Sequence, residues 1–156
     1  MKNLPTAVLF LLLAGCGWHL RGLGPGGADL PALQIQGKDP RFVQQLHKAL
    51  TEQGLSIAAT ESDWTLVVEN VEYKRLIGAV NSAGQAQSFL LILTMRVIFS
   101  KAARVFPAQT VRASRDLQYD QSAVLGKEAE EKTVRIALLS EAAQQLLYRY
   151  RAISQP

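Results

Sequence analysis

The stretch from Trp64 to Ser100 decides the fold: WTLVVENVEYKRLI (residues 64–77), a turn-prone NSAGQ (81–85), then SFLLILTMRVIFS (88–100). The first part mixes β-branched and aromatic residues in partial alternation, the pattern of a strand. In the last part Phe89, Leu91, Leu93, Met95, Val97 and Phe99 fall on one side, and Leu90, Ile92, Thr94, Arg96 and Ile98 on the other. A strand apolar on both faces for half its length sits at the centre of a sheet, or has its second face covered by a partner.

Downstream, KAARVFPA (101–108) reads as a loop leading to a third strand, TVRASRDLQY (110–119). That strand sets Val111, Ala113, Arg115 and Leu117 against Arg112, Ser114, Asp116 and Gln118. A long helix over residues 122–151 follows, with Leu125, Ala129, Ile136, Leu139, Ala143, Leu146 and Tyr150 as its expected apolar stripe. Upstream, ALQIQG (32–37) reads as a short strand. Asp39-Pro40 then starts a helix, because Asp is a strong N-cap and Pro is tolerated at the first helical position. Phe42, Val43, Leu46, Ala49 and Leu50 recur at helical spacing, and Gly54 suits the C-terminal cap. The order β-α-β-β-β-α predicts an α+β fold: a two-layer sandwich with two helices on one face of a four-stranded, mostly antiparallel sheet.

Composition limits the function classes. The chain has 156 residues, 48% of them hydrophobic, and a formal charge of +4. This suits one compact domain, and the modest basic balance permits an anionic partner. One cysteine excludes an internal disulfide and any multi-cysteine metal site. Nucleic acid is a poor partner, since the aromatic residues fall on core faces and are not interleaved with basic ones.

The single thiol lies in MKNLPTAVLFLLLAGC (1–16). A cationic start, an apolar run and small residues form a secretory signal peptide over residues 1–15. Leu13-Ala14-Gly15-Cys16 resembles a bacterial lipobox, which implies that Cys16 is the lipid attachment point. It would carry a diacylglycerol and an N-acyl chain, and no other cofactor is expected. Several acyl chains, at about 0.8 kcal/mol per buried methylene, anchor a protein firmly where one chain is marginal. Gly17 in place of Asp points to the outer membrane. Residues 16–31, ending in GLGPGGADLP, are expected to be a lipidated N-terminus and tether, and residues 32–156 the folded domain.

An enzyme has little to work with. His47 sits at the edge of the first helix's polar face, and His19 lies three residues past Cys16. No Gly-rich loop joins a strand to a helix. Glu128, Glu130 and Glu131 suit the start of a helix electrostatically and need no catalytic role. The basic residues are more informative. Lys74 and Arg75 close the second strand beside the NSAGQ turn, Arg112 and Arg115 lie on the last strand, and Lys127 opens the long helix after Gly126. A lysine there opposes the helix dipole unless the two act together on a phosphate. An incidental solvated lysine is the alternative.

These residues combine in one resemblance. Cys16-Gly17-Trp18-His19-Leu20-Arg21-Gly22 is similar to the opening of the LptE family of lipopolysaccharide-assembly lipoproteins. The similarity continues in Gly84-Gln85 before a long apolar strand, in Leu125-Gly126-Lys127-Glu128, and in the closing AAQQLLYR (142–149). It implies an α/β sandwich seated in the lumen of the outer-membrane β-barrel LptD. There the protein would plug the barrel, assist its assembly and bind lipopolysaccharide on its way to the outer leaflet. The anchor would hold it at the inner leaflet of the outer membrane of a Gram-negative bacterium. The resemblance implies one basic lipopolysaccharide contact in the stretch matching Lys127. It implies a second in the turn before Gly84, where this chain has Ser82 and leaves Lys74 or Arg75 to supply the charge. The competing reading is an outer-membrane lipoprotein adaptor that binds another envelope lipid or protein complex through the same sheet face.

Overall fold

The computed structural model describes residues 27–118 and 127–155, with the side chains of Lys127 and Glu128 excepted. The signal peptide, Cys16, the opening heptad and Leu125-Gly126 lie outside the described residues. The elements are β1 (Leu33–Gly37), α1 (Pro40–Glu52), β2 (Trp64–Val80), β3 (Ala86–Lys101), β4 (Arg104–Val105), β5 (Gln109–Gln118) and α2 (Lys127–Ser154).

The β2–β3 hairpin is the spine of the sheet. β1 joins β2 in parallel, while β4 and β5 both pair antiparallel with β3, at different places along it. β3 is therefore central, as its two apolar faces require. The inward residues of β2 begin as Trp64, Leu66 and Val68, opposite Lys101, Phe99 and Val97. A bulge then leaves Glu69 without a partner, and the inward phase passes to Val71, Tyr73, Arg75 and Ile77, opposite Met95, Leu93, Leu91 and Phe89. That phase change explains why the sequence alternates only partially.

Both helices pack on the inward face. α1 contributes Phe42, Leu46, Ala49 and Leu50 to a core shared with Leu66, Leu93, Met95, Val97, Val111 and Ala113. Its start follows the cap chemistry: Asp39 Oδ1 accepts from the backbone N–H groups of Arg41 (2.9 Å) and Phe42 (3.3 Å), and Pro40 takes the first turn. Gly54 follows the helix at φ 86°, the left-handed region that closes helices and favours glycine. Among the described residues no helix covers the other sheet face, where Leu90, Thr94 and Ile98 are half-buried and Ile92 is buried apart from the main core.

Three features differ from the sequence reading. The sheet has five strands, because the loop at 101–108 contains β4. Its tight reversal uses Ala102 at φ 47°, a position without the glycine that would signal a turn, and the Ala102 N–H donates to the Asp63 carbonyl at 2.8 Å. The stripe of α2 is rotated. Leu139, Ala143, Leu146 and Tyr150 face the core together with Leu138, Ala142 and Leu147, but Ile136 is 62% exposed and Ala129 is exposed. At about 100° per residue Ile136 stands roughly 200° from Leu138, which is fully buried, so both cannot face the sheet. Finally, ordered packing begins before residue 32. Leu30 is buried, the Gly27 N–H donates to the Gln53 carbonyl at 3.2 Å, and the Tyr150 hydroxyl donates to the Pro31 carbonyl at 3.0 Å.

Candidate functional site

The two ends of the hairpin have different surroundings. At the Trp64 end an aromatic cluster closes the core. Trp64 stacks on Phe106 (5.6 Å) and meets Tyr150 edge-on (5.3 Å), while Phe99 stacks on Tyr150 (5.8 Å). Burial raises the Tyr150 phenol well above its ordinary range.

Toward the turn, apolar side chains come into solvent on both faces. Leu76 is 49% exposed, Ile77 64% and Val80 55%. The hairpin continues to Val80, and Asn81 then builds the turn: its Oδ1 accepts from the N–H groups of Ala83 and Gln85, with Gly84 at φ 76°. At Gly78 a Cβ would come within 2.7 Å of Ser88 Oγ, so glycine lets the strands close there.

A cationic cluster sits at the root of this apolar end. The Arg75 guanidinium lies 3.8 Å from the Phe89 ring centroid and 3.4 Å from Glu131 on α2. Arg135 grips the same carboxylate through two nitrogens, at 2.8 and 3.1 Å, and lies 5.0 Å from the Tyr73 ring. Two guanidiniums thus share one carboxylate, which leaves positive charge available to an anion. Burial raises the Tyr73 phenol above its ordinary value, with Arg135 opposing the shift, so Tyr73 is a neutral hydroxyl at physiological pH.

The five expected basic residues divide between two faces. Arg75 and Arg115 flank Leu91 in one row on the helix face, about 10 Å apart across two strand spacings. Each pairs with a glutamate of α2: Arg75 with Glu131, and Arg115 with Glu141 at 3.5 Å. Lys74 and Arg112 point to the opposite face, in adjacent rows opposite Ile92 and Thr94. There Lys74 pairs with Glu72 at 3.1 Å. Lys127 is the first residue of α2, one turn before Glu131, so its backbone lies about 6 Å along the axis from the Arg75 contact. Arg75 and Lys127 therefore mark one end of the molecule. Lys74 and Arg75 are not beside the turn: β2 runs on to Val80, about 16–20 Å beyond them at strand rise. Sequence reasoning missed Arg135 and Lys132. Arg135 was detectable as a helix cation four residues after Glu131, the spacing of an intrahelical pair.

Among the described residues no group of three His, Cys, Asp or Glu could hold a metal, and no helix is long and apolar enough to cross a membrane. What the arrangement offers is adjacent apolar and cationic surface.

A family model described as "LptE: Lipopolysaccharide-assembly" matches residues 30–150. Among curated proteins the chain is similar to "LPS-assembly lipoprotein LptE" of Pectobacterium atrosepticum, at 29% identity over 97% of this chain and 85% of the relative. The fold is similar to the rare lipoprotein B of Shewanella oneidensis, with TM-score 0.65 and 15% identity over 78% of this chain and 95% of that one. It is also similar to a lipoprotein B of Nitrosomonas europaea, with TM-score 0.66 and 19% identity over 88% and 90%.

Proposed function

Because the chain belongs to the LptE family of lipopolysaccharide assembly, we propose that it is a non-enzymatic outer-membrane lipoprotein that plugs an LptD-type β-barrel, helps it assemble, and binds lipopolysaccharide in transit. Cys16 carries the acyl anchor and holds the domain at the inner leaflet of a Gram-negative outer membrane. The observation that carries this reading is the distal half of the hairpin. Leu76, Ile77 and Val80 stand in solvent next to the Arg75–Glu131–Arg135 cluster.

Lipopolysaccharide presents acyl chains beside phosphates, and the distal end presents apolar side chains beside spare positive charge. Charge-assisted hydrogen bonds from guanidinium to phosphate are roughly twice as strong as neutral ones. Lys127 opens α2 at the same end, where the first N–H groups of the helix also favour an anion. Arg115 extends the positive surface along the helix face, and Lys74 and Arg112 carry charge on the opposite face of the sheet. An open sheet face with half-buried Leu90 and Ile98 is suited to enclosure by a second protein.

The test has two parts. Purification under non-denaturing conditions is expected to recover a large β-barrel with the chain, and recovery alone would overturn the plug reading. Lys127→Glu is expected to weaken lipopolysaccharide binding about tenfold, one lost charge-assisted contact, with the thermal midpoint unchanged. Unaltered binding would remove Lys127 from the site.

A further inference from the structure

A cavity lies on the helix side, next to the cluster at the root of the hairpin end. Between α1, the middle of β2 and the first half of α2 runs a cleft of about 410 Å³. That volume falls among small-molecule sites, which occupy about 300–1,000 Å³. Ile136, Leu139 and the Tyr73 ring form apolar walls, and Lys48, Lys132 and Arg135 stand around them. Ile136 contributes to no core: it is 62% exposed and faces this cleft.

The charges around the cleft are unbalanced. Lys48 reaches Glu52 only at 3.9 Å, and both side chains are well exposed, so the pair holds Lys48 weakly. Arg135 shares Glu131 with Arg75. Lys132 makes no ion pair with any described side chain. Among the residues that line the cleft, Lys48, Lys132 and Arg135 thus stand against Glu52 alone.

An apolar wall with a cationic rim is complementary to a molecule that joins an apolar tail to an anion. A neutral or cationic head would gain nothing from the rim, and an inorganic anion would leave the wall in water. We propose that this cleft binds a single-chain amphiphile with an anionic phosphate head, the head held by Lys132 and Lys48 and the tail laid against Ile136, Leu139 and Tyr73. This site shares Tyr73 and Arg135 with the cluster at the root of the hairpin end, but Lys48, Lys132, Ile136 and Leu139 belong to the cleft alone, so its test does not depend on the role proposed for that cluster.

The test uses the full chain in phosphatidylcholine nanodiscs and a dodecyl phosphate that bears a terminal diazirine. Irradiation and peptide mapping are expected to place the label on residues 45–52 and 132–140. Excess dodecyl phosphate is expected to block it, and dodecyltrimethylammonium to leave it in place. Lys132→Glu and Ile136→Asp, both at exposed positions, are each expected to lower labelling about tenfold with an unchanged thermal midpoint. Competition by lysophosphatidylglycerol alone would identify a phospholipid source, and competition by rough lipopolysaccharide alone a glycolipid source; either supports the site. Label scattered over both sheet faces, label unchanged in both variants, or label displaced equally by the cationic amphiphile would overturn it.

Discussion

From Trp64 to Val68 the inward side chains of β2 are at most 4% exposed, whereas Leu76, Ile77 and Val80 on the same strand are 49–64% exposed. The residue types are alike, and the surroundings are not. The first half lies under Phe99 and Tyr150, whereas β5 ends opposite Ser88 and the hairpin continues beyond it. An apolar strand end that outruns its own core is stable in water only at a cost, unless another surface covers it. The near half of the hairpin therefore serves the fold, and under the proposed function the far half serves a partner.

That contrast can be broken most severely at Tyr150, which is 1% exposed and joins Trp64, Phe99 and the Pro31 carbonyl. Tyr150→Ala is expected to lower stability by about 3–5 kcal/mol, as for other large aromatic truncations, measured by urea unfolding. A loss near that seen at an exposed site would mean the aromatic cluster does not hold the near end together.

The same residue sets an alkaline limit. Burial raises the folded phenol above its ordinary 10.0, so the folded state retains a proton that the unfolded state releases. The contribution is fully present below pH 10.0 and is lost as pH rises through the raised folded value. The slope is at most about 1.4 kcal/mol per pH unit. Unfolding midpoints measured above pH 10 should fall in the parent, and the fall should be smaller in Tyr150→Phe.

The smallest effect on stability is expected at the far end. Ile77→Ser should change stability by about 0.5 kcal/mol or less, yet reduce recovery of the barrel partner. A larger loss of stability would show that the far half also belongs to the core.

The extent to which the sequence disclosed this arrangement follows from the physics of each element. Asp39-Pro40 and Gly54 are local signals, and α1 begins and ends where they place it. The two-faced apolar pattern of residues 89–99 placed β3 at the centre, because a buried strand must satisfy both faces. The rotation of α2 was not legible, since Ile136 and Leu138 are equally apolar and only the cleft beside α1 separates them. β4 left no signal, because a two-residue strand turning on Ala102 has neither length nor glycine. Of the candidate site, Arg75 and Lys127 were singled out in the sequence by charge alone. Their shared end was not, because it depends on Glu131 crossing from α2 to β2. The split of Arg115 from Arg112 follows from period-two alternation and was readable once the strand was placed.

Replacing Ile77 with a photo-reactive benzoylphenylalanine in living cells tests the central claim most directly. Irradiation is expected to join the chain covalently to a large outer-membrane β-barrel. Absence of that adduct at Ile77, in cells where the same group at exposed Gln44 on α1 does capture the barrel, would contradict a far half built for a partner.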